Sequence, residues 1–136
     1  MLRFLIASIA IATCAEAVGE QPYHTDYSKF VLDVRSNDAR GMIVLTAPGC
    51  APCARYKNEL SSNARQLRQR GLIVCVLDTT DPKNKAVVDY VKKQYPNWKG
   101  QVPATVVTDK EAKTGIGLSI GFMLIKQIFA WIHWLL

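Results

Sequence analysis

Met42-Ile43-Val44-Leu45-Thr46-Ala47-Pro48-Gly49-Cys50-Ala51-Pro52-Cys53 is the stretch that decides the fold. Its first half is a continuous apolar run, the pattern of a strand buried on both faces. Its second half closes on two cysteines spaced C-x-x-C, and Ala54 to Arg70 beyond them reads as helix. The pair therefore sits where a buried strand hands over to a helix. A helix N-terminus carries unpaired N–H groups and partial positive charge. A thiol placed there is held as thiolate, the form that attacks disulfides. A second thiol one turn on can close a ring with the first. This is the chemistry of thiol–disulfide exchange, with Cys50 and Cys53 as the reacting pair. A metal site is the competing reading. One C-x-x-C supplies two ligands and a structural zinc site needs four. The other candidates, Cys75, His24 and His133, are scattered singly, so no metal is expected.

Working outward toward the N-terminus, Thr25 or Asp26 can cap a helix whose apolar stripe is Tyr27, Phe30, Val31 and Val34. Ser36-Asn37-Asp38 and Gly41 end it. Residues 1–17 have the form of a secretory signal peptide: Arg3 at the start, Phe4 to Thr13 apolar but too short to span a bilayer, and Ala15-Glu16-Ala17 as an A-x-A cleavage site. Residues 18–136 then form the mature chain, the size of one domain, in a compartment where disulfides persist. The alternative is a lipoprotein signal with Cys14 acylated, for which Thr13 is a poor preceding residue.

Working outward the other way, the helix from Ala51 to Arg70 turns Leu60, Ala64 and Leu67 inward, and Gly71 caps its end. Leu72 to Leu77 reads as a second buried strand. Asp81-Pro82 opens another helix, the aspartate as cap and the proline at the first position. Its apolar side is Val87, Val88, Val91 and Tyr95, and Pro96 stops it. Thr105 to Thr108 is a third strand, preceded by Val102-Pro103. No repeat, low-complexity tract or linker interrupts the chain, so a single domain is expected.

Residues 115–136 carry one formal charge, Lys126, and are long enough to span a membrane. Gly117 and Gly121 even form the G-x-x-x-G of packed transmembrane helices. Yet Ile116, Leu118 and Ile120 alternate with Gly117 and Ser119, which is strand periodicity. From Phe122 the period changes. Leu124, Ile125, Ile128, Phe129, Trp131, Ile132 and Leu135 share one side of a helical wheel, and Met123, Lys126, Gln127, Ala130, His133 and Trp134 the other. A docked strand followed by a helix over Phe122 to Leu135 is the favoured reading, because without it the domain has three strands and an uncovered sheet face. Membrane association of the C-terminal helix is the lesser one.

The net charge is +6, from 17 Lys and Arg against 11 Asp and Glu. The cations are spread: Arg55, Lys57, Arg65, Arg68 and Arg70 on one helix, Lys83, Lys85, Lys92 and Lys93 on another. Solvated helix faces explain this better than nucleic-acid binding, which needs clustering with aromatic residues interleaved. A weak preference for acidic partners or anionic lipid surfaces is compatible with it.

The order of elements, Cys50-Ala51-Pro52-Cys53 after a buried strand, and Val102-Pro103-Ala104-Thr105 opening a later one together resemble the thioredoxin superfamily over roughly residues 26–136. With the export signal, the chain looks like the periplasmic thiol–disulfide oxidoreductases of that superfamily. The resemblance implies an α/β fold, a central mixed sheet of about four strands flanked by helices. It implies an enzyme that acts on protein thiols and disulfides without a cofactor, with Cys50 as exposed nucleophile and Cys53 as resolving thiol. Pro103 would be in cis beside the cysteine pair, and Pro103 with the backbone of Val102 would form the ledge for a substrate chain. A periplasmic or secreted monomer is expected, kept reduced by a membrane-embedded electron donor.

Three positions depart from thioredoxins proper. Gly49 stands where they carry a tryptophan before the first cysteine. The strand Met42 to Thr46 lacks their buried aspartate, and Cys75-Val76 occupies the place of a lysine in the next strand. The usual proton acceptor for Cys53 is therefore missing, which favours a dedicated partner. Cys75, between Val74 and Val76, is expected to behave as a small buried hydrophobe, and His24 and His133 receive no role.

Overall fold

The computed structural model describes residues 22–136; the signal-like residues 1–17, Cys14 included, lie outside the described part. Asp26 starts α1 (Tyr27–Ser36): its carboxylate accepts the Ser28 N–H at 2.9 Å and the Lys29 N–H at 3.5 Å. The apolar run then forms β1 (Arg40–Thr46), and the C-x-x-C pair opens α2 (Ala51–Gln69). β2 (Leu72–Asp78), α3 (Lys85–Gln94), β3 (Ala104–Thr108), β4 (Gly115–Ile120) and α4 (Ile125–Leu135) follow. The strands make one mixed sheet in the order β2-β1-β3-β4. β1 runs parallel to β2, with Met42 opposite Val74, and antiparallel to β3, with Met42 also opposite Val107. β4 closes the sheet antiparallel to β3. This is the four-stranded α/β architecture that the sequence implies.

Alternation along the strands sorts the core onto two faces. Ile43, Leu45, Ile73, Cys75, Leu77 and Val106 pack against Phe30 and Val34 of α1, Val88 and Val91 of α3, and Trp98. Met42, Val44, Val74, Val76 and Val107 pack against Tyr56, Leu60 and Leu67 of α2 and Ile128 and Ile132 of α4. Both helices of the second face thus cover the sheet beneath the cysteine pair. α2 and α4 are also tied directly, since Glu59 Oε2 accepts the N–H of Ile125 at 2.7 Å.

β2 runs one residue past the sequence reading, to Asp78, β3 starts one residue before it, at Ala104, and four other boundaries differ as well. β1 begins at Arg40, two residues early, because Arg40 N–H donates to Gly71 O at 2.9 Å and Gly41 N–H to Thr108 Oγ1 at 2.9 Å. α2 ends at Gln69, and Arg70 serves as its cap. Asp81 and Pro82 open a short 3-10 turn, Pro82–Asn84, rather than the α-helix itself, which starts at Lys85. The last helix starts at Ile125, not Phe122. Residues 121–124 form a bend after Gly121, so Met123 (8% exposed) turns inward and Leu124 (48% exposed) outward, the reverse of their places on the helical wheel. No helix among the described residues is long and apolar enough to cross a membrane.

His24, given no role from sequence, stitches the N-terminal segment to the sheet. Its N–H donates to Val74 O at 2.9 Å, and its carbonyl accepts the Val76 N–H at 2.8 Å, so it pairs with Cys75 on the free edge of β2. Its ring meets Asp33 at 2.7 Å, and Arg68 makes two hydrogen bonds to the same carboxylate. The Arg68 guanidinium, with His24 behind it, holds the Asp33 carboxyl below the usual carboxylate range.

Candidate thiol–disulfide site

β1 delivers the chain to the edge of the core at Thr46, and α2 carries it away from Ala51. Gly49 makes the turn between them with φ +75°. An L side chain rarely adopts that conformation, which gives a backbone reason for glycine where thioredoxins proper carry tryptophan. Cys50 is the N-cap of α2, with extended backbone (φ −96°, ψ 105°), and its Sγ accepts the N–H of Cys53 at 3.2 Å. Pro52 sits in the first turn, where its missing N–H costs no hydrogen bond. Cys50 and Cys53 are paired as a disulfide, with Cα atoms 5.2 Å apart. The two residues differ in exposure: Cys50 is partly buried, and Cys53 is 1% exposed.

The second motif lies against the first. Cys50 Sγ is 3.8 Å from the carbonyl oxygen of Val102, the Val102–Pro103 peptide bond is cis, and Pro103 is buried. All four residues singled out from sequence, Cys50, Cys53, Val102 and Pro103, therefore come together at one end of the sheet. The loop leading to Val102 is anchored by Trp98, 2% exposed, whose indole N–H donates to Gln101 O at 2.8 Å. On the far side of Pro103, its carbonyl accepts the Gly121 N–H at 2.7 Å. Gly121 (φ +110°) turns the chain so that Phe122 packs edge-on against Tyr56.

Beneath the pair, Tyr56 on α2 and Thr105 on β3 share a buried hydrogen bond of 2.7 Å. Tyr56 follows Cys53 by three residues and Thr105 follows Pro103 by two, so the bond locks the two motif-bearing elements together. Burial pushes the Tyr56 hydroxyl up to about 12. Besides the Tyr56 hydroxyl and the Trp98 indole N–H, the buried polar side chains among the described residues are Thr46, Asn84, Thr105 and Thr108. None is a carboxylate or an amine, in keeping with the acceptor that β1 and β2 lack in sequence. Trp98, Tyr56, Thr105 and Phe122 are the site-building residues that sequence reasoning missed. The available signals were a large aromatic one turn after Cys53 and a lone tryptophan just ahead of Val-Pro.

No protein-family model and no curated protein sequence matches the chain. Solved structures do. Chloroplastic thioredoxin z superposes with a TM-score of 0.60 at 16% identity, over 87% of this chain and 96% of that one. The germline-specific thioredoxin Deadhead of Drosophila melanogaster gives 0.59 at 17% identity, over 84% and 97%. The chain has the thioredoxin fold. A thioredoxin-like protein from Clostridium perfringens is similar as well, with a TM-score of 0.55 at 22% identity over 72% of this chain and 71% of the other. At these identities the likeness is one of fold. Within this thioredoxin fold, a disulfide-bonded C-x-x-C at the start of α2 supports a thiol–disulfide oxidoreductase.

Proposed function

We propose that the protein is an exported thiol–disulfide oxidoreductase that reduces disulfides in other proteins. The observation that carries this reading is the seat of Cys50: a partly buried residue at a helix N-cap, its Sγ receiving the Cys53 N–H and facing the Val102 carbonyl. A thiolate there is stabilised by the donor and by the helix dipole. It attacks one sulfur of a substrate disulfide, that S–S bond breaks, and one substrate thiolate leaves. Cys53 then attacks Cys50 Sγ in the mixed disulfide and expels the second substrate thiolate, leaving Cys50–Cys53 oxidised and the substrate reduced by two electrons. Pro103 and the Val102 backbone form the ledge along which the substrate chain lies. No cofactor takes part.

The direction follows from the dipeptide between the cysteines. Ala51 and Pro52 offer no charge and no side-chain donor, so the thiolate gains mainly from the helix terminus and the disulfide stays comparatively stable. A potential near the thioredoxin value of about −270 mV is expected, rather than the strong-oxidant value of about −120 mV. Outside the cytosol such a protein needs an electron donor, for which a membrane-embedded protein is the natural source. Cleavage after Ala17 would release residues 18–136 as a monomer, and the mass of the protein recovered from a periplasmic fraction tests that.

The deciding assay is reduction of insulin by dithiothreitol. Wild type should exceed the uncatalysed rate, and Cys50→Ser and Cys53→Ser should not. Wild-type turnover at background would leave a non-catalytic assembly or metal-handling module. Equilibration with glutathione buffers tests direction, and a potential above about −180 mV would replace the reductant by an oxidase or isomerase.

A further inference from the structure

Two exposed cations outside the ion pairs among the described residues lie close in sequence to the two site motifs. Arg55 and Lys99 are exposed. Arg55 lies on α2 five residues beyond Cys50, and Lys99 lies three residues before Val102. None of the ion pairs among the described residues includes either side chain. Carboxylates toward this end of the sheet keep their charge but are turned to local donors. Asp78 accepts the N–H and the hydroxyl of Thr80 at 2.8 and 2.7 Å. Asp81 caps Lys83 N–H at 3.1 Å and faces its ammonium, and Glu59 caps Ile125. At the opposite end, cations are matched by anions: Lys110 with Asp38, and Lys113 with Glu111.

Arg55 is also held in place. Its guanidinium lies 5.6 Å from the centre of the Phe122 ring. Phe122 follows Gly121, whose N–H is bound by the Pro103 carbonyl, and Val102 O in turn faces Cys50 Sγ. A closed ring of contacts thus runs from Cys50 through Val102, Pro103 and Phe122 to Arg55 and back along α2. An exposed cation–π contact orients a guanidinium without consuming its N–H donors. Pro48, Gly49, Ala51 and Pro52 add no charge.

We propose that the site selects disulfides flanked by acidic residues, with Arg55 on its Phe122 shelf and Lys99 as the two counter-charges. The inference rests on the exchange reading of Cys50 and Cys53 and names the substrate class for it. A substrate chain laid along Val102 runs beside α2, which carries Arg55, and beside the loop that carries Lys99, so Asp or Glu beside its cysteine is attracted and Lys or Arg is repelled. Acidic flanks therefore raise the rate of the first attack.

The test uses two disulfide-linked peptide dimers that differ only in Glu or Lys on either side of the cysteine. Each is mixed with the reduced protein, and Cys50–Cys53 oxidation is followed after acid quench. The acidic dimer should react about tenfold faster or more at low salt. The ratio should fall toward one at about 0.5 M salt, where screening lengths are a few ångströms. Flanking charges also change the peptides' own thiols, but that contribution cancels when proteins are compared on the same peptides. The double variant R55E/K99E should invert the ratio, Arg55→Lys should keep it, and K110E/K113E, the same charge change at the far end of the sheet, should leave it in place. A ratio equal in wild type and R55E/K99E, or one indifferent to salt, overturns the proposal while the exchange reading stands. Failure to react with either dimer and with insulin overturns both.

Discussion

Cys50 and Cys75 carry the same side chain into opposite surroundings. Cys50 ends a turn, caps a helix and meets a backbone N–H at 3.2 Å. Cys75 lies mid-strand in β2, 0% exposed, with Ile43 opposite it on one side and His24 on the other. Burial among apolar side chains pushes its thiol up to about 12. Thiol chemistry here is a property of element ends. A helix terminus offers unspent dipoles to an anion, and a strand interior offers none.

The largest effect is expected in alkylation of the reduced native protein at neutral pH. One fast label is expected, on Cys50; Cys50→Ser should lose it together with all insulin turnover. Cys53→Ser should keep the label, lose turnover and accumulate mixed disulfides with substrates. Equal labelling of Cys50 and Cys75 would erase the distinction.

Next in size is the wall beneath the site. Truncation after Gly121 removes Ile128 and Ile132 from the core, along with the half-buried Ile125, Phe129, Trp131 and Leu135. At roughly 1.5–3 kcal/mol per buried side chain, the loss matches or exceeds an ordinary domain's stability of about 5–15 kcal/mol. Insoluble protein is expected. A soluble, cooperatively melting truncation would show that α4 is no part of the domain.

Tyr56→Phe is a smaller change. It strands the Thr105 hydroxyl in the core and should cost about 1–3 kcal/mol in denaturant melts. Adding Thr105→Val should recover part of that. An unchanged midpoint for the single variant would mean that the bond ties nothing together.

The smallest effect is expected at Cys75. Its folded value lies above its unfolded one, so the unfolded chain loses the proton first as pH rises. The stabilisation is complete below the unfolded value of about 8.5 and is lost progressively above it, up to about 12. Cys75→Ala should cost about 1 kcal/mol near pH 7 and flatten the decline between about pH 9 and 11. Tyr56, also pushed up to about 12, contributes its own decline above pH 10. An alkaline slope identical in the alanine variant would place the thiol in contact with water.

Much of this was legible in the chain, for physical reasons that also mark the limit. β1 and β2 announce themselves because strands covered on both faces are uniformly apolar, and Cys50-Ala51-Pro52-Cys53 locates the helix start because only an element end gives that spacing its use. Val102-Pro103 was readable as the partner motif. Arg40 and Gly41 were not readable as strand, since their pairing depends on Gly71 and Thr108, far away in sequence. The bend at 121–124 was hidden because a helical wheel assigns sides to residues whether or not they are helical. Tyr56–Thr105 and Arg55–Phe122 were hidden for the same reason as Arg40: they join residues 49 and 67 positions apart, and periodicity carries no information about such pairs.

Those long separations bear on how the chain reaches its folded state. The central strand β1 takes one neighbour from about 30 residues downstream and the other from about 60, and His24 waits for Val74 and Val76. Contacts of this kind close large loops before they repay the entropy, which slows folding. A chain emerging N-terminus first therefore presents β1 with both ladders unsatisfied until residue 108 has appeared, and its α2 face stays open until α4 arrives. During that interval a strand as apolar as Met42 to Leu45 is a template for intermolecular pairing. Yield on expression should accordingly depend on the rate of synthesis and on holding chaperones more steeply than the stability of the finished domain would suggest.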